Sequence, residues 1–220
     1  MGVPERLAGL RAALKDSEAE VRAAAAEALS RVEGVAALPK LLEQLHSGDG
    51  GTQVAMLYAL AELGGQVATA PLVAALTSGE APVRATAARL LGALAATEAI
   101  PALLPCLRDS VTSVRVAAIA SLASLRASEA SDEVLALLDG EEDEVAATAT
   151  RALGQLEPPQ ATTVLIAALG TRSEEVQIAA ACALGELGGS AAESALLQAA
   201  RSSSAELRKA AVQSLGRLAA

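Results

Sequence analysis

Seven stretches of this chain start at positions 21, 52, 83, 114, 145, 176 and 207, each 31 residues after the last. They are Val21–Val32, Thr52–Leu63, Val83–Leu94, Val114–Leu125, Val145–Leu156, Val176–Leu187 and Leu207–Leu218. A strict period of this length describes a unit that cannot bury its own apolar face and must stack on its neighbours. Seven such units occupy nearly all 220 residues, which leaves no room for a second kind of module. The expected organisation is a single solenoid over 1–220. Its repeats run at about 4–34, 35–65, 66–96, 97–127, 128–158, 159–189 and 190–220.

Each repeat reads as two helices. Leu38, Leu41, Leu42 and Leu45 form one apolar stripe on the first helix of repeat two, and Ile100, Leu103, Leu104 and Leu107 do the same in repeat four. Pro39, Pro71 and Pro101 fall near the expected starts of first helices, where a missing N–H is harmless. Pro105 lies deeper and should loosen its helix. The recurring stretch is the second helix. Counting from its first residue, offsets 0, 4, 8 and 11 lie within about 80° of each other on a 3.6-residue wheel. They carry Val83, Ala87, Leu91 and Leu94 in repeat three and Val176, Ala180, Leu184 and Leu187 in repeat six. Offset 8 is Leu in every copy, and offset 9 is Gly, Ala or Ser. Gly64-Gly65 and Gly188-Gly189 suit helix ends with positive φ, whereas Pro158-Pro159 ends repeat five by another route. The fold class is therefore all-α, an α-α superhelix of two-helix repeats.

Composition agrees with stacked small helices. Apolar residues make up 52%, yet there is no Trp or Phe and only one Tyr. The segment Ile100 to Leu125 reads Ile-Pro-Ala-Leu-Leu-Pro-Cys-Leu-Arg-Asp, then Ser-Val-Arg through Leu122 and Leu125. In this form the unit resembles the HEAT-like repeats named after phycobilisome lyases, and the resemblance covers essentially the whole chain. It implies an armadillo-type helical fold of bacterial type and leaves the activity open, since folds of this kind host many functions. It also implies a structural ladder in which the Asp closing the first helix pairs with the Arg after the anchor. Asp16 with Arg22 and Asp109 with Arg115 match both members. Arg84 and Arg208 retain the Arg opposite Ser78 and Ser202, while Gln53, Ala146 and Gln177 replace it.

Several functions are disfavoured by the residues. A net charge of −9 and the near absence of aromatics argue against nucleic acid, which needs cationic clusters and stacking platforms. No apolar run approaches the roughly 18 residues of a membrane span, and the first residues lack a secretory pattern. Cys106 and Cys182 lie more than two repeats apart, beyond bridging reach, which places the chain in a reducing cytoplasm. His46, the single histidine, has no metal-binding neighbours and reads as an exposed helix-end residue. The run Glu141 to Glu144 opens a helix, where the dipole favours negative charge. Gly48-Asp49-Gly50-Gly51 lacks the Lys-Ser/Thr of a phosphate loop and reads as a flexible turn. No catalytic residue, cofactor site or metal site is expected.

What remains is a binding surface. In solenoids the second helices line a concave groove, and offsets 2, 6 and 10 point away from the core stripe. These offsets differ at almost every step, while the core offsets hardly vary between repeats. They include Val54, Val116 and Ile178 as exposed aliphatics, Tyr58, and the two arginines Arg89 and Arg151. Tyr and Arg are favoured where a few residues carry binding. The alternative for Val54 and Ile178 is padding between neighbouring helices. Repeat two, with Val54, Met56, Leu57 and Tyr58, is the most apolar second helix. At the ends, Arg11 replaces an aliphatic as expected of a polar cap, while Val212 should stay exposed on the last helix. The expected function is a non-catalytic scaffold for a protein or peptide, as a monomer or weak homo-oligomer. The alternative is an accessory subunit of a lyase-like enzyme, active only with a partner.

Overall fold

Why the second helices can approach so closely is visible at their glycines. A Cβ added at Gly92 would lie 2.7 Å from the Ser121 Oγ, one at Gly154 would lie 3.0 Å from the Ala183 Cβ, and one at Gly185 would lie 2.5 Å from the Ser214 Cβ. Offset 9 of one repeat is thus pressed onto offset 7 of the next, and a bulky residue at either place would separate them. The computed structural model describes residues 3–138, 140, 142–171 and 173–218. Among these, side chains at 3, 4, 19, 23, 26, 27, 30, 31, 33–36, 47 and 66 are not described. The described residues form helices and turns, with no strand among them. The chain divides into two compact units, Met1–Ala74 and Ala75–Ala220.

The first unit holds α1 (Val3–Ala13), α2 (Ala19–Ser47), α3 (Gly50–Leu63) and nearly all of α4 (Gly65–Ala75). Here the expected alternation of two helices per repeat is modified. The second helix of repeat one and the first helix of repeat two run together as the 29-residue α2. Between Val32 and Pro39 the chain offers a single glycine, Gly34, among Glu, Val, Ala and Leu. One internal glycine costs a helix only about 1 kcal/mol and does not stop it. Pro39 consequently lies inside α2, and Pro71 lies inside α4, so neither marks a helix start. The supposed flexible turn at Gly48–Gly51 is also ordered. Asp49 caps α3 by accepting the Thr52 N–H at 2.7 Å, and this bond holds its carboxyl below the ordinary value. Leu57 and Leu60 of α3 are fully buried.

The second unit contains α5 (Ala81–Ala93), α6 (Ile100–Leu103), α7 (Thr112–Ser124), α8 (Ser131–Ala136), α9 (Asp143–Leu156), α10 (Ala161–Ala168), α11 (Glu174–Leu187), α12 (Ser190–Ala199) and α13 (Ala205–Leu218). The second helices α5, α7, α9, α11 and α13 pack successively, each on the next. Their core stripe is buried as the wheel requires. Leu91, Leu122, Leu153 and Leu184 at offset 8, with Ala87, Ala118, Ala149, Ala180 and Ala211 at offset 4, are completely shielded. Pro101 falls in the first turn of α6. Pro105 converts the rest of that helix into a 3-10 turn over Leu104–Arg108, the loosening expected of it.

Offset 12 is where each second helix turns over, and its φ is positive in five repeats. Gly64 and Gly188 occupy it as expected, but so do Ala95, Arg126 and Glu157 at φ of 51–52°. After α5 the turn is closed by Ala96 N–H to Leu91 O and Ala95 N–H to Gly92 O, the paired bonds of a Schellman end. An L-residue there pays a steric cost that glycine does not. Ala95→Gly should raise the free energy of unfolding by about 0.5–1 kcal/mol. A lower urea midpoint for this variant would contradict that account.

Candidate partner-binding face and inter-repeat arginine rungs

The arginines at offset 1 each grip the turn that precedes their own helix. Arg84 Nη1 donates to the carbonyls of Ser78 (2.8 Å) and Gly79 (3.2 Å). Arg208 Nη1 donates to Ser202 O and Ser203 O, and Arg22 Nη1 to Asp16 O and Ser17 O, all at 2.8 Å. Arg115 Nη1 donates to Asp109 O at 2.6 Å. Within a repeat, then, it is the backbone carbonyl at the Asp position that meets the Arg. The carboxylate pairing expected for Asp16 with Arg22 and for Asp109 with Arg115 is replaced by these carbonyl bonds.

The carboxylates act one repeat later. Arg84 makes a bidentate pair with Asp109 of the following repeat, Nε to Oδ2 at 2.8 Å and Nη2 to Oδ1 at 2.9 Å, with both side chains largely buried. These bonds, before any other cause, hold the Asp109 carboxyl below its ordinary value and raise Arg84. Asp109 Oδ1 also accepts the Val111 N–H at 2.9 Å, which keeps it aimed. Arg115 likewise reaches forward, to Glu142 at 2.5 Å, and Thr112 bonds the same carboxylate at 2.7 Å. Glu142 is the N-cap of α9 and was hidden in the acidic run; Glu141 lies outside the described residues. The signal for both pairs was a carboxylate 25 or 27 residues after the Arg, not six before it.

Gln177 shows how a repeat manages without the Arg. Its Nε2 donates to Thr171 O at 2.5 Å, supplying the carbonyl grip and omitting the forward reach. A crevice of about 340 Å³ opens beside it, lined by Gln177, Ser202, Ile166 and Leu207, where the next repeat offers Ser202 instead of a carboxylate.

The residues expected to line a groove separate by offset. In the second unit, Arg89 and Arg151 at offset 6 are exposed, as are Ala120 and Gln213, whereas Cys182 is half-buried. Offset 10 is exposed at Ala93, Ser124, Gln155, Glu186 and Arg217. Offset 2 is different: Ala85 and Ala147 are buried, and Val116 and Ile178 are only half-exposed. In the first unit Tyr58 is 49% exposed, Val54 is half-buried and Leu57 is core. The side chains of Ala23, Glu27 and Arg31 lie outside those described. With second helices packed at glycine-to-serine distance, offset 2 falls on the flank that a neighbour partly covers. Val54, Val116 and Ile178 are therefore not fully exposed aliphatics.

Arg89 Nη2 makes one long contact to Thr86 Oγ1 on its own helix, at 3.2 Å. Arg151 has no hydrogen bond or ion pair among the described residues. Between them, α7 presents Ala120 and Ser124, so the arginines flank a floor of small side chains. Arg11 is exposed, but so are Ile166 and Leu197 at the equivalent position. Leu42, Val73, Leu104 and Leu135 at that position are half-buried.

His46 Nδ1 lies 2.6 Å from Leu42 O in the last turn of α2. Both cysteines are free, and burial pushes the Cys106 thiol up, away from the reactive thiolate. Among the described residues, no group of His, Cys, Asp and Glu could hold a metal ion, and no helix is long and apolar enough to cross a membrane.

A family model described as HEAT repeats matches residues 1–61, 69–146 and 131–216. The chain belongs to the HEAT-repeat family. No curated protein sequence matches this HEAT-repeat chain. Among solved structures, it is similar to a designed armadillo repeat protein at 25% identity and TM-score 0.55, over 82% of this chain and 99% of that one. A second designed armadillo repeat protein, in complex with the peptide (KR)4, aligns at 23% identity and TM-score 0.57 over 82% and 99%. The complex of CpcE and CpcF of phycocyanin lyase from Nostoc aligns at 22% identity and TM-score 0.52, over 99% and 95%. Those likenesses carry the fold.

Proposed function

We infer that this HEAT-repeat chain is a non-catalytic, cytoplasmic scaffold that binds a protein or peptide along the outward face of its second helices. The observation that carries this is the contrast within α5, α7, α9 and α11. Offsets 4 and 8 are uniform and shielded, while offsets 6 and 10 are almost all exposed and differ at every step. Stability accounts for the first set and does not require the second. Arg89 and Arg151 are the strongest candidates on this face, because a guanidinium without a carboxylate partner is available to a ligand. Val116 and Ile178 contribute apolar edge to the same face. In the first unit Tyr58, beside Val54, is a separate candidate contact. A repeat protein of the same fold holds the peptide (KR)4, and strings of repeats suit extended ligands in general.

The test compares proteins captured by the wild type with those captured by Arg89→Glu/Arg151→Glu. The double variant should retain its helical circular dichroism and lose the partners that the wild type enriches. An unchanged partner set would place the binding face elsewhere.

A further inference from the structure

Every junction along α5 to α13 uses the same two faces. The forward face of one repeat carries offset 1, 5 and 9 residues and the rear face of the next carries small residues at offsets 3 and 7; the junctions of repeats three with four and four with five add a carboxylate before the rear helix. At the junction of repeats three and four this means Arg84 to Asp109, Gly92 against Ser121, and the Ser121 hydroxyl donating to Ala88 O at 2.8 Å. Among the described residues, the outer face of α13 presents the forward set uncovered. Val212, at offset 5, is 59% exposed, although Ala88, Ile119, Thr150 and Ala181 at the same offset are completely shielded. Gly216, at offset 9, has nothing within 4 Å of a Cβ position, whereas Gly92, Gly154 and Gly185 are hard against their neighbours. Arg208 grips its own turn through Nη1 as Arg84 does. The Nε and Nη2 groups that Arg84 spends on Asp109 meet no carboxylate among the described residues.

The rear set is partly uncovered on repeat one, where Ala28 is half-buried and Ala24 exposed. Val21 at offset 0 is 41% exposed, against 1% for Val83 and 4% for Leu207. Ala24 at offset 3 is exposed where Thr86, Ala117, Thr148, Ala179 and Ala210 are buried. Ala28 at offset 7 stands where Ala183 receives Gly154. Asp16 occupies the place of Asp109. It makes the same aiming bond, Glu18 N–H to Asp16 Oδ1 at 2.9 Å, and among the described residues no arginine side chain pairs with its carboxylate as Arg84 does with Asp109.

We propose that the uncovered face of α13 docks the first repeat of a second copy of this chain, Arg208 taking the copy's Asp16 and Gly216 receiving its Ala28. The occupant is a second copy because this chain itself carries the missing carboxylate, the small residues and the uncovered valine in the register that α13 demands. Charge and shape both match a junction already made within the molecule. The contact is heterologous, so it propagates head to tail rather than closing as a symmetric dimer.

Analytical ultracentrifugation of the full chain over a concentration series tests this. The weight-average mass of the wild type should rise above 21.9 kDa and continue past the dimer. Asp16→Arg removes only the rear face and Val212→Arg only the forward face, so each alone should remain monomeric. Mixed, they should form a one-to-one dimer of twice the monomer mass and nothing larger, because one intact face remains on each; its formation also shows that both variants are folded. A wild type that stays at monomer mass throughout, or single variants that still associate, or a mixture that stays monomeric, would overturn the proposal.

Discussion

Asp109→Ala should lower the free energy of unfolding of the second unit by about 2–4 kcal/mol, as expected when one member of a largely buried, bidentate pair is removed. Arg84 and Asp109 are only 14% and 12% exposed, so the guanidinium left behind would face a site with few alternatives to water. Glu142→Ala is the internal control. Its pair with Arg115 is similar in kind, but Glu142 is half exposed and solvent can replace it, so the loss should be clearly smaller. The rung also has a pH signature. The Asp109 carboxyl is held below its ordinary value, chiefly by the Arg84 hydrogen bonds. Its contribution is therefore present above the unfolded value of about 3.9 and is lost as pH falls through and below it. The acid limb of a stability profile should be steeper in the wild type than in Asp109→Ala. A urea midpoint that does not move would show that packing alone joins repeats three and four.

The second large effect is steric. Gly185→Ala would bring its Cβ to 2.5 Å from the Ser214 Cβ and 3.0 Å from the Ser214 Cα, so backbone as well as side chain must move. Overpacking of this kind costs about 1–3 kcal/mol. Gly154→Ala, at 3.0 Å from the Ala183 Cβ, should cost less. Gly216→Ala, with open space around it, should be neutral or stabilise by up to about 1 kcal/mol through helix propensity. Combining Gly185→Ala with Ser214→Gly should recover part of the loss. The Ser214 hydroxyl is buried without a partner, so removing it carries little cost of its own. Equal losses for all three single glycine variants would mean that helix proximity is not what selects glycine at offset 9.

The core positions were legible because they depend on one helix at a time. Leu91, Ala87 and Val83 share a stripe by geometry, and any stacked arrangement buries them. The helix ends were only half legible. Gly64 and Gly188 announced themselves, whereas Ala95, Arg126 and Glu157 adopt the same positive φ under constraint from the following helix. The fusion in α2 is not legible in the sequence, because Gly34 and Pro39, five residues apart, read as a boundary. The helix tolerates both when its neighbours favour it. Among the binding candidates, the exposure of Tyr58, Arg89 and Arg151 follows from the wheel; the partial burial of Val54 and Ile178 fits the padding alternative, and that of Val116 does not follow from the wheel. A wheel describes one helix, and offset 2 is covered by a different one.

The 31-residue period by itself determined that this chain is built from helical pairs, which residues face the core, and where small residues must sit. Those properties are local and repeat with the sequence. Only the tertiary structure decided that the Asp109 carboxylate meets Arg84 of the repeat before it, while Arg115 meets only the Asp109 backbone carbonyl, and that Arg208 and Asp16 have no such carboxylate pair among the described residues. The physical reason is that a guanidinium lies within reach of two turns, its own and the next repeat's. Which carboxylate it meets depends on how closely glycine lets the helices approach, and that distance is set between repeats.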